Sequence, residues 1–377
     1  MQLTLTEDQE QLRDSVTRFV RQTYTYDAWR RRAREPHDAD AATWREIAGL
    51  GWTAVAVAEA HGGLGLGARE RGVIMEAFGA GLVLEPYWSS AVMCAELLRI
   101  AGTADQQARL LPGIADGTVR GAFALLEAYT RYDWTAVSCR AERSGDGWSL
   151  QGKKITVLDA PGADRLMVLA RTSGTPGTPA GLSLFWVAAS TPGLNRRDFR
   201  TVDERGCSDV MLEGVFVPAG DLIGAEGQAA AAVSEAIDHG IAALCAEAVG
   251  TMASAVTATV DYLKTRKQFG KPLAEFQALR HRVADMVVAL EQSRSIAALC
   301  AASLDAPPAE RSRLGAIAKA QVGTAGRFIG ESAVQLHGGI GVTDELQIGH
   351  FMKRLLVIDI LLGDTRHHLS RIAEASA

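Results

Sequence analysis

Two short stretches decide the fold: RKQFGKPL at residues 266–273 and QLHGGIG at residues 335–341. Each follows a long run with apolar residues at helical spacing, which places both at predicted helix ends. Arg266 offers a planar charged fork for a phosphate, Phe269 can stack on an adenine, and paired glycines let a backbone approach a ligand. The alternative interpretation is a basic helix end favoured by the helix dipole, with glycines that only break helices. Found together and in this order, the two stretches favour nucleotide binding.

The region around these stretches, residues 226–377, is predicted to be a four-helix bundle. The first helix shows apolar residues about four positions apart and is stopped by 270–272; they are Val233, Ile237, Ile241, Leu244, Ala248, Met252, Val256, Val260 and Leu263. A second helix is predicted to about residue 303, a third from the prolines at 307–308 to Leu336, and a fourth to about Ala373. Long helices with short links are typical of a bundle.

The rest of the chain divides into a helical and a β-rich part. Residues 1–117 are predicted to be an α-helical domain, with helices at the capping box Thr6–Gln9 and around 41–50, 68–80, 87–101 and 104–116. Residues 118–225 carry short β-rich runs at 120–126, 136–142, 147–158, 165–171, 182–188 and 209–217, separated by Gly and Pro turns. The predicted class is therefore mainly α with a middle β-barrel or sandwich domain.

A glycine-rich stretch in the first domain permits a competing interpretation. Residues 63–68, GLGLGA, fit G-x-G-x-x-A after a possible strand at 52–58, and Glu85 lies about 20 residues further on. That outline is typical of a dinucleotide-binding βαβ unit. However, no alternating βα pattern follows to build a parallel sheet, so a turn between helices is the favoured interpretation.

Composition excludes several function classes. The chain has 377 residues, 47% of them hydrophobic, and a net charge of −5, which argues against a protein built to hold nucleic-acid phosphates. Its five scattered cysteines show no metal-ligand spacing, so no metal site is predicted and a reducing cytoplasmic location is expected. The opening residues lack a signal peptide, and no uninterrupted apolar run reaches the length of a membrane-spanning helix, so no membrane insertion is expected.

The motifs together resemble the acyl-CoA dehydrogenase family over essentially the whole chain. The resemblance rests on LTEDQEQLRDSV at 5–16, AHGGLG at 60–65, GWSLQGKK at 147–154, RKQFGKPL with 276–277, and QLHGGIG. It implies an acyl-CoA dehydrogenase-like fold of helical domain, β-barrel and four-helix bundle, assembled as a dimer of dimers. It also implies FAD held across a subunit boundary, whose ADP half would be served by Arg266, Gln268, Phe269, Gln277, Gln335, Leu336, His337, Gly338 and Gly339.

The implied reaction is α,β-desaturation of an acyl-CoA, in which a carboxylate removes the α-proton and electrons pass to the flavin and on to an electron-transfer acceptor. The base must work near neutral pH, so a partly desolvated carboxylate is expected. Here Leu362 stands where the family's usual glutamate would sit, and Gly240 occupies the second known position. Asp364 is the candidate substitute base. Asp238 and Glu127 are further nearby carboxylates; the first is expected to be a solvated or paired helix charge and the second to be structural.

The half of the site that would face the flavin ring also departs from the family. The pattern Thr-Glu-Pro-Gly-x-Gly-Ser-Asp appears as LEAYTRYD at 126–133, so that Glu127 is kept and Arg131 is unusual. Arg131 could pair with Glu127 or Asp133, or meet a substrate or flavin charge. Leu158 replaces the hydroxyl expected beside the flavin ring.

These variants resemble a sub-branch whose members work as paired subunits, including pimeloyl-CoA and steroid side-chain dehydrogenases. The first hypothesis is therefore an acyl-CoA dehydrogenase subunit in a homo- or heterotetramer, with bulky or dicarboxylic acyl-CoA substrates. The second is a non-catalytic subunit that completes the FAD site of a related partner. A minor third is a relative redirected to other flavin chemistry.

Overall fold

The computed structural model describes residues 5–35 and 41–375. Within that part of the chain the helices are α1 Glu7–Thr23, α2 Tyr26–Arg32, α3 Ala41–Gly49, α4 Ala68–Gly81, α5 Ala95–Ala101, α6 Ala104–Ala115, α7 Ala230–Thr265, α8 Gln277–Ala302, α9 Pro308–His337, α10 Ile348–Ile360 and α11 Thr365–Ala375. The strands are β1 Gly121–Ala124, β2 Arg140–Ser144, β3 Gly147–Leu158, β4 Arg165–Arg171, β5 Leu182–Ala188, β6 Leu194–Arg200, β7 Gly206–Pro218, β8 Leu222–Ile223, β9 Lys267–Gln268 and β10 Lys271–Pro272.

Local sequence signals explain how the early helices begin. The Thr6 hydroxyl accepts from the backbone N–H of Gln9, whose side chain accepts from the Thr6 N–H, so the predicted capping box is confirmed.

The predicted helix over 87–101 is present, but its first half, Trp88–Cys94, is π-helical and fully buried. A π-helical turn widens the backbone and is frequent at functional sites.

The glycine-rich stretch at 63–68 is a turn between helices, which confirms the favoured interpretation. Trp52–Ala54 forms a single 3₁₀ turn instead of a strand. A Cβ on Gly63 would lie 1.9 Å from the carbonyl oxygen of Val57, so backbone crowding alone requires glycine there. The dinucleotide interpretation has no strand to support it.

The middle strands form one eight-stranded sheet, within the described residues, in the order β6-β7-β3-β2-β4-β5-β8, with β1 added beside β4. The predicted barrel is wrong because β6 and β8, at the two ends of this order, do not pair with each other. The pairing is mostly antiparallel, but β4 runs parallel to both β1 and β2. With only two residues, β8 is too short to continue the sheet toward closure.

The fourth helix of the predicted bundle is two helices. α10 ends at Ile360 and α11 begins at Thr365, because Leu362 and Gly363 adopt positive φ values of 57° and 112°. Below, the link at residues 361–364 is called the α10–α11 corner. The corner lies at the position where the family's catalytic glutamate is expected.

The described chain divides into two compact units. The first comprises Met1–Arg34, Ala68–Val83 and Ile241–Ala377, and the second Glu35–Gly67 and Leu84–Gly240. The three domain limits expected from the sequence remain a prediction.

One helix among the described residues, α7, has the length and composition to cross a membrane, but 72% of its most apolar window is buried, as in the central helix of a bundle.

Candidate functional site

The stretch after α7 forms a tight two-stranded hairpin. β9 and β10 pair antiparallel, and the turn residues Phe269 and Gly270 both have positive φ, at 53° and 81°. This is the geometry of a two-residue hairpin turn, which normally favours small or glycine residues at both positions. The strained backbone therefore presents Phe269 at the hairpin tip, where its side chain is 90% exposed. Arg266, at the base of the hairpin, is also exposed.

Neighbouring side chains fix the direction of this tip. The ring of Phe269 meets that of Phe276 edge to face, with centroids 6.1 Å apart, and the Lys271 ammonium lies 4.4 Å from the Phe276 centroid. Gln277 is exposed at the first turn of α8, and Gln268 is exposed with its amide bonded to the carbonyl of Lys267. An exposed ring beside an arginine suits stacking on a flat base next to a phosphate.

The second predicted stretch lies at the end of α9. Gly338 ends the helix with φ +67°, and a Cβ added at either Gly338 or Gly339 would meet no atom within 4 Å. Gln335 is exposed, whereas Leu336 and His337 are buried. Of the five residues predicted to contact the nucleotide here, the two glycines and Gln335 are therefore open to a ligand. The side chains of Leu336 and His337 are not.

A stacked pair of rings joins the two stretches. The imidazole of His337 lies 4.4 Å from the Tyr262 ring, nearly parallel to it, and its Nδ1 lies 2.8 Å from the carbonyl oxygen of Ala333. Burial lowers the pKa of His337, which favours an uncharged ring. Tyr262 lies in the last turn of α7, and its carbonyl accepts from the N–H of Arg266 at 2.8 Å, so the stack links the end of α9 to the base of the hairpin. Sequence reasoning missed Tyr262; an aromatic one helical turn before the arginine was the available signal.

The α10–α11 corner has no carboxylate at the family position. Leu362 is half-buried there, in the left-handed conformation noted above. Asp364 directly precedes α11, and its carboxylate accepts from the N–H of His367 at 2.8 Å. Asp364 is therefore an N-cap of α11, a structural task that already occupies an oxygen of the candidate base.

Buried groups hold the corner in place. The Lys319 ammonium, which is fully buried, donates to the carbonyls of Asp359 and Gly363, both at 2.8 Å. The Asp359 carboxylate accepts from the N–H and hydroxyl of Thr365, at 3.0 and 2.7 Å. Burial and the nearby Lys319 charge lower the pKa of His368 to about 3, so its neutral ring lies against the Leu362 carbonyl at 3.1 Å.

The second known base position is also unsuited to that task. Gly240 has no side chain, and its carbonyl accepts a 3.1 Å hydrogen bond from the buried indole N–H of Trp88. Asp238, two residues earlier, is buried, so of the solvated and the paired helix charge expected there only the paired one fits. At this position the chain presents an indole ring and a backbone carbonyl.

Glu127 is bound by donor groups of the chain itself. Its carboxylate accepts from the backbone N–H groups of Ser138 and Cys139 at 2.8 and 3.1 Å, from the Ser138 hydroxyl, and from the buried Lys154 ammonium at 2.7 Å. Burial acts to raise its pKa, but the Lys154 charge and these hydrogen bonds outweigh burial and lower it. The carboxylate is thus held ionised by the chain's own groups.

The end of β3 is a tightly tied corner. Leu158 is buried, and the following residue, Asp159, has a positive φ of 63°. The Ser89 hydroxyl, from the π-helical turn, donates to Asp159 Oδ2 at 2.5 Å and lies 3.4 Å from the Leu158 carbonyl oxygen. The alkyl side chain of Leu158 offers no hydrogen bond to a ligand.

Comparison with known proteins identifies the family of this chain. Three family models match the chain: acyl-CoA dehydrogenase N-terminal domain over residues 6–118, middle domain over 122–215 and C-terminal domain over 228–377. Mitochondrial isobutyryl-CoA dehydrogenase of Dictyostelium discoideum is 30% identical over 368 residues, covering 95% of this chain and 86% of that protein. The chain therefore belongs to the acyl-CoA dehydrogenase family.

Solved structures agree with this assignment. A variant of the Tcur3481-Tcur3483 steroid ACAD is similar with a TM-score of 0.88 and 32% identity, covering 99% of this chain and 98% of that one. PigA, solved with FAD and proline, is similar with a TM-score of 0.90 and 26% identity over 99% and 98% of the two chains. The resemblance seen in the sequence motifs is thereby confirmed.

Proposed function

We propose that this chain is a subunit of an FAD-dependent acyl-CoA dehydrogenase that takes its catalytic base from a related partner chain. The observation that carries the proposal is the α10–α11 corner, where Leu362 replaces the base and Asp364 caps a helix. The hairpin and the end of α9, by contrast, retain exposed groups suited to a nucleotide. The chain thus combines a preserved nucleotide-binding edge with a lost proton acceptor.

The described residues fit the ADP half of FAD. Arg266 supplies a permanent charge for the diphosphate, Phe269 an exposed ring for the adenine, and Gln277 and Gln335 exposed amides for polar edges. Gly339 leaves open space for close backbone approach. The hairpin tip needs a neighbour to cover its 90% exposed ring, and a flavin lodged in an adjoining subunit would do so.

Desaturation needs three contributions, of which this chain supplies one. Bound FAD would supply the oxidising power by accepting a hydride from the β-carbon. This chain's hairpin and α9 end would hold the nucleotide tail and so orient the cofactor. The α-proton requires a carboxylate with a pKa near neutrality, which the proposal assigns to the partner. The proposed setting is a cytoplasmic heterotetramer that acts on a bulky or dicarboxylic acyl-CoA and passes electrons to an electron-transfer acceptor.

The test is desaturation with an artificial electron acceptor. The chain purified alone is expected to give no turnover, and turnover is expected when it is co-expressed with a dehydrogenase chain that retains a Glu-Gly-Thr run. Replacing that glutamate by glutamine in the partner should abolish turnover while the complex and its flavin persist. Full activity from the chain alone would contradict the need for a partner.

A second candidate function is a purely structural subunit, favoured by the alkyl side chain of Leu158 and the Trp88 indole bound to Gly240. Colour separates the two candidates. A yellow protein with a flavin spectrum when the chain is expressed alone supports a working cofactor site. A colourless chain that becomes yellow only with its partner supports the structural role.

A further inference from the structure

A cavity of about 300 Å³ opens among helices α1, α4, α7 and α8, within the first compact unit. This volume is at the lower end of the range for small-molecule sites. At about 30 Å³ for each group the size of a water molecule, the cavity holds about ten non-hydrogen atoms. Among the described residues that line it, none belongs to the hairpin or to the end of α9. The cavity is therefore distinct from the proposed nucleotide site.

The floor of the cavity is apolar, because small residues face one another where the helices meet. Gly72 of α4 lies opposite Ala246 of α7, and a Cβ built on Gly72 would lie 3.9 Å from the Ala246 Cβ. Ala297, Ala298 and Ala301 form the α8 side of the floor. Hydrocarbon placed on such a surface leaves water, which favours binding. The floor therefore suits an apolar group.

The rim of the cavity is basic. Three arginines line it, Arg13, Arg69 and Arg294, against one lining carboxylate among the described residues, that of Glu76. The Arg294 guanidinium, on α8, donates from Nη1 to Glu76 on α4, so this ion pair spans two walls of the cavity. Three arginines against one carboxylate leave a surplus of positive charge, which attracts an anion.

Two of these guanidiniums keep donors that the described chain does not use. Arg294 pairs through Nη1 with Glu76, and its Nε lies 3.5 Å from Glu291 Oε1, which leaves Nη2 without a partner among the described residues. Arg13 donates from Nε and Nη2 to the neighbouring Asp14, both at 3.2 Å, and its Nη1 is likewise left over in that part of the chain. Unused donors beside an apolar floor suit a ligand that carries an acceptor at one end.

We propose that this cavity binds a carboxylate that ends a short hydrocarbon chain, with the chain on the floor and the carboxylate at Arg294 and Arg13. A guanidinium fork matches a planar carboxylate, and an apolar body with one charged end matches an apolar floor beside a basic rim. Octanoate, with eight carbon and two oxygen atoms, is of the size that the cavity holds. The site takes a ligand that does not enter the flavin reaction, so the proposal does not rest on the proposed function.

The test is isothermal titration calorimetry of the full chain with three ligands: octanoate, 1-octanol and butyrate. Octanoate should bind with one molecule per chain. Octanol should bind at least about tenfold more weakly, because it lacks the charge that strengthens hydrogen bonds to arginine. Butyrate should also bind at least about tenfold more weakly, because it lacks most of the hydrocarbon that the floor would cover.

Two variants locate the site. Gly72→Leu fills the cavity from α4, and it should fold because the position has room and leucine favours a helix more than glycine does. It should weaken octanoate binding at least about tenfold. Arg294→Met should weaken octanoate binding by a similar factor and leave octanol binding unchanged; Glu76, which is 40% exposed, then stays in water. Arg282→Met, at an exposed position of the same helix, is the matched control and should change neither.

Three outcomes would overturn the inference: no binding of octanoate to the wild type, equal affinity for octanoate and octanol, or octanoate affinity that is unchanged in folded Gly72→Leu or in Arg294→Met. Unchanged affinity in both variants would show that octanoate binds elsewhere on the chain. An equal loss of octanoate and octanol in Arg294→Met would show that the arginine shapes the cavity without binding the carboxylate, which also contradicts the inference. Circular dichroism of each variant checks that the fold is kept.

Discussion

The ammonium of Lys319 lies 2.8 Å from the carbonyl oxygen of Gly363 and so links the middle of α9 to the α10–α11 corner. Both groups are buried, and the second acceptor, the Asp359 carbonyl, belongs to the last turn of α10. A cation at a helix C-terminus satisfies carbonyls that have no partner within the helix. The corner is therefore tied to α9 by buried hydrogen bonds.

Lys319 gives a stability change at alkaline pH. Burial lowers its pKa from 10.5 to about 8, although the nearby Cys245, Asp359 and Asp364 act to raise it. Between these values the unfolded chain binds more protons than the folded one, so stability rises with pH. We expect the wild type to gain about 3 kcal/mol relative to Lys319→Met from pH 8 to pH 10.5. Urea unfolding of both proteins across that range measures this gain. A constant difference between the two proteins would refute the lowered pKa of Lys319.

Glu85 is expected to make stability fall as pH rises in the acidic range, opposite to the effect of Lys319 at alkaline pH. Burial raises its pKa from 4.5 to about 7 against the opposing charge of Arg205, with Asp159 adding to the increase. Its Oε2 has no hydrogen-bond partner among the described residues. The folded state therefore binds more protons than the unfolded chain between pH 4.5 and 7, and stability falls as pH rises.

The matching variant is Glu85→Gln, which imitates the protonated acid. The wild type should lose about 3 kcal/mol relative to this variant from pH 4.5 to pH 7. Thermal or urea unfolding at both pH values checks the result. If the two proteins keep parallel pH profiles, Glu85 is ionised in the fold and the buried acid is excluded.

Two variants of Asp364 distinguish a helix-capping role from a catalytic role. As an N-cap of α11 it should stabilise the protein by about 1 kcal/mol, lost in Asp364→Ala and largely kept in Asp364→Asn, because asparagine caps equally well. Turnover of the assembled enzyme should be similar in wild type and Asp364→Asn. A general base, in contrast, contributes about 10²–10⁴-fold, so a loss of that size in the asparagine variant would make Asp364 the base.

The sequence predicted most elements because their signals are local. The capping box at Thr6, the β-rich run of β3 and the long apolar stripe of α7 all appear where the sequence predicted them. β6 was missed because its sequence, LNRRDFR, is charged and lies at one end of the sheet order, where solvent-facing polar residues are tolerated. Closure of the sheet was wrongly expected because pairing between distant strands leaves no local mark in the sequence.

Parts of the candidate site could not be predicted, for a different reason. The motifs located the hairpin and the paired glycines, but the Tyr262–His337 stack joins residues 75 positions apart and depends on how α7 and α9 end. The break after Ile360 depends on a lysine 41 residues earlier in the chain. The pairing of Arg131 stayed open at the sequence level because both carboxylates nearby find other donors only in the folded chain.

The proposed function requires the hairpin and the end of α9 to hold the nucleotide tail of a flavin. The most direct measurement is the dissociation constant of FAD from the assembled complex, for wild type, Phe269→Ala and Gly339→Val. Gly339 has open space and an ordinary backbone, so valine should leave the fold intact while blocking close approach of a ligand. Val288→Ala, at an exposed position on α8, is the control. We predict FAD affinity at least about tenfold weaker in both site variants, since base–aromatic stacking alone contributes about 1–3 kcal/mol. Unchanged FAD affinity in both would contradict the claim.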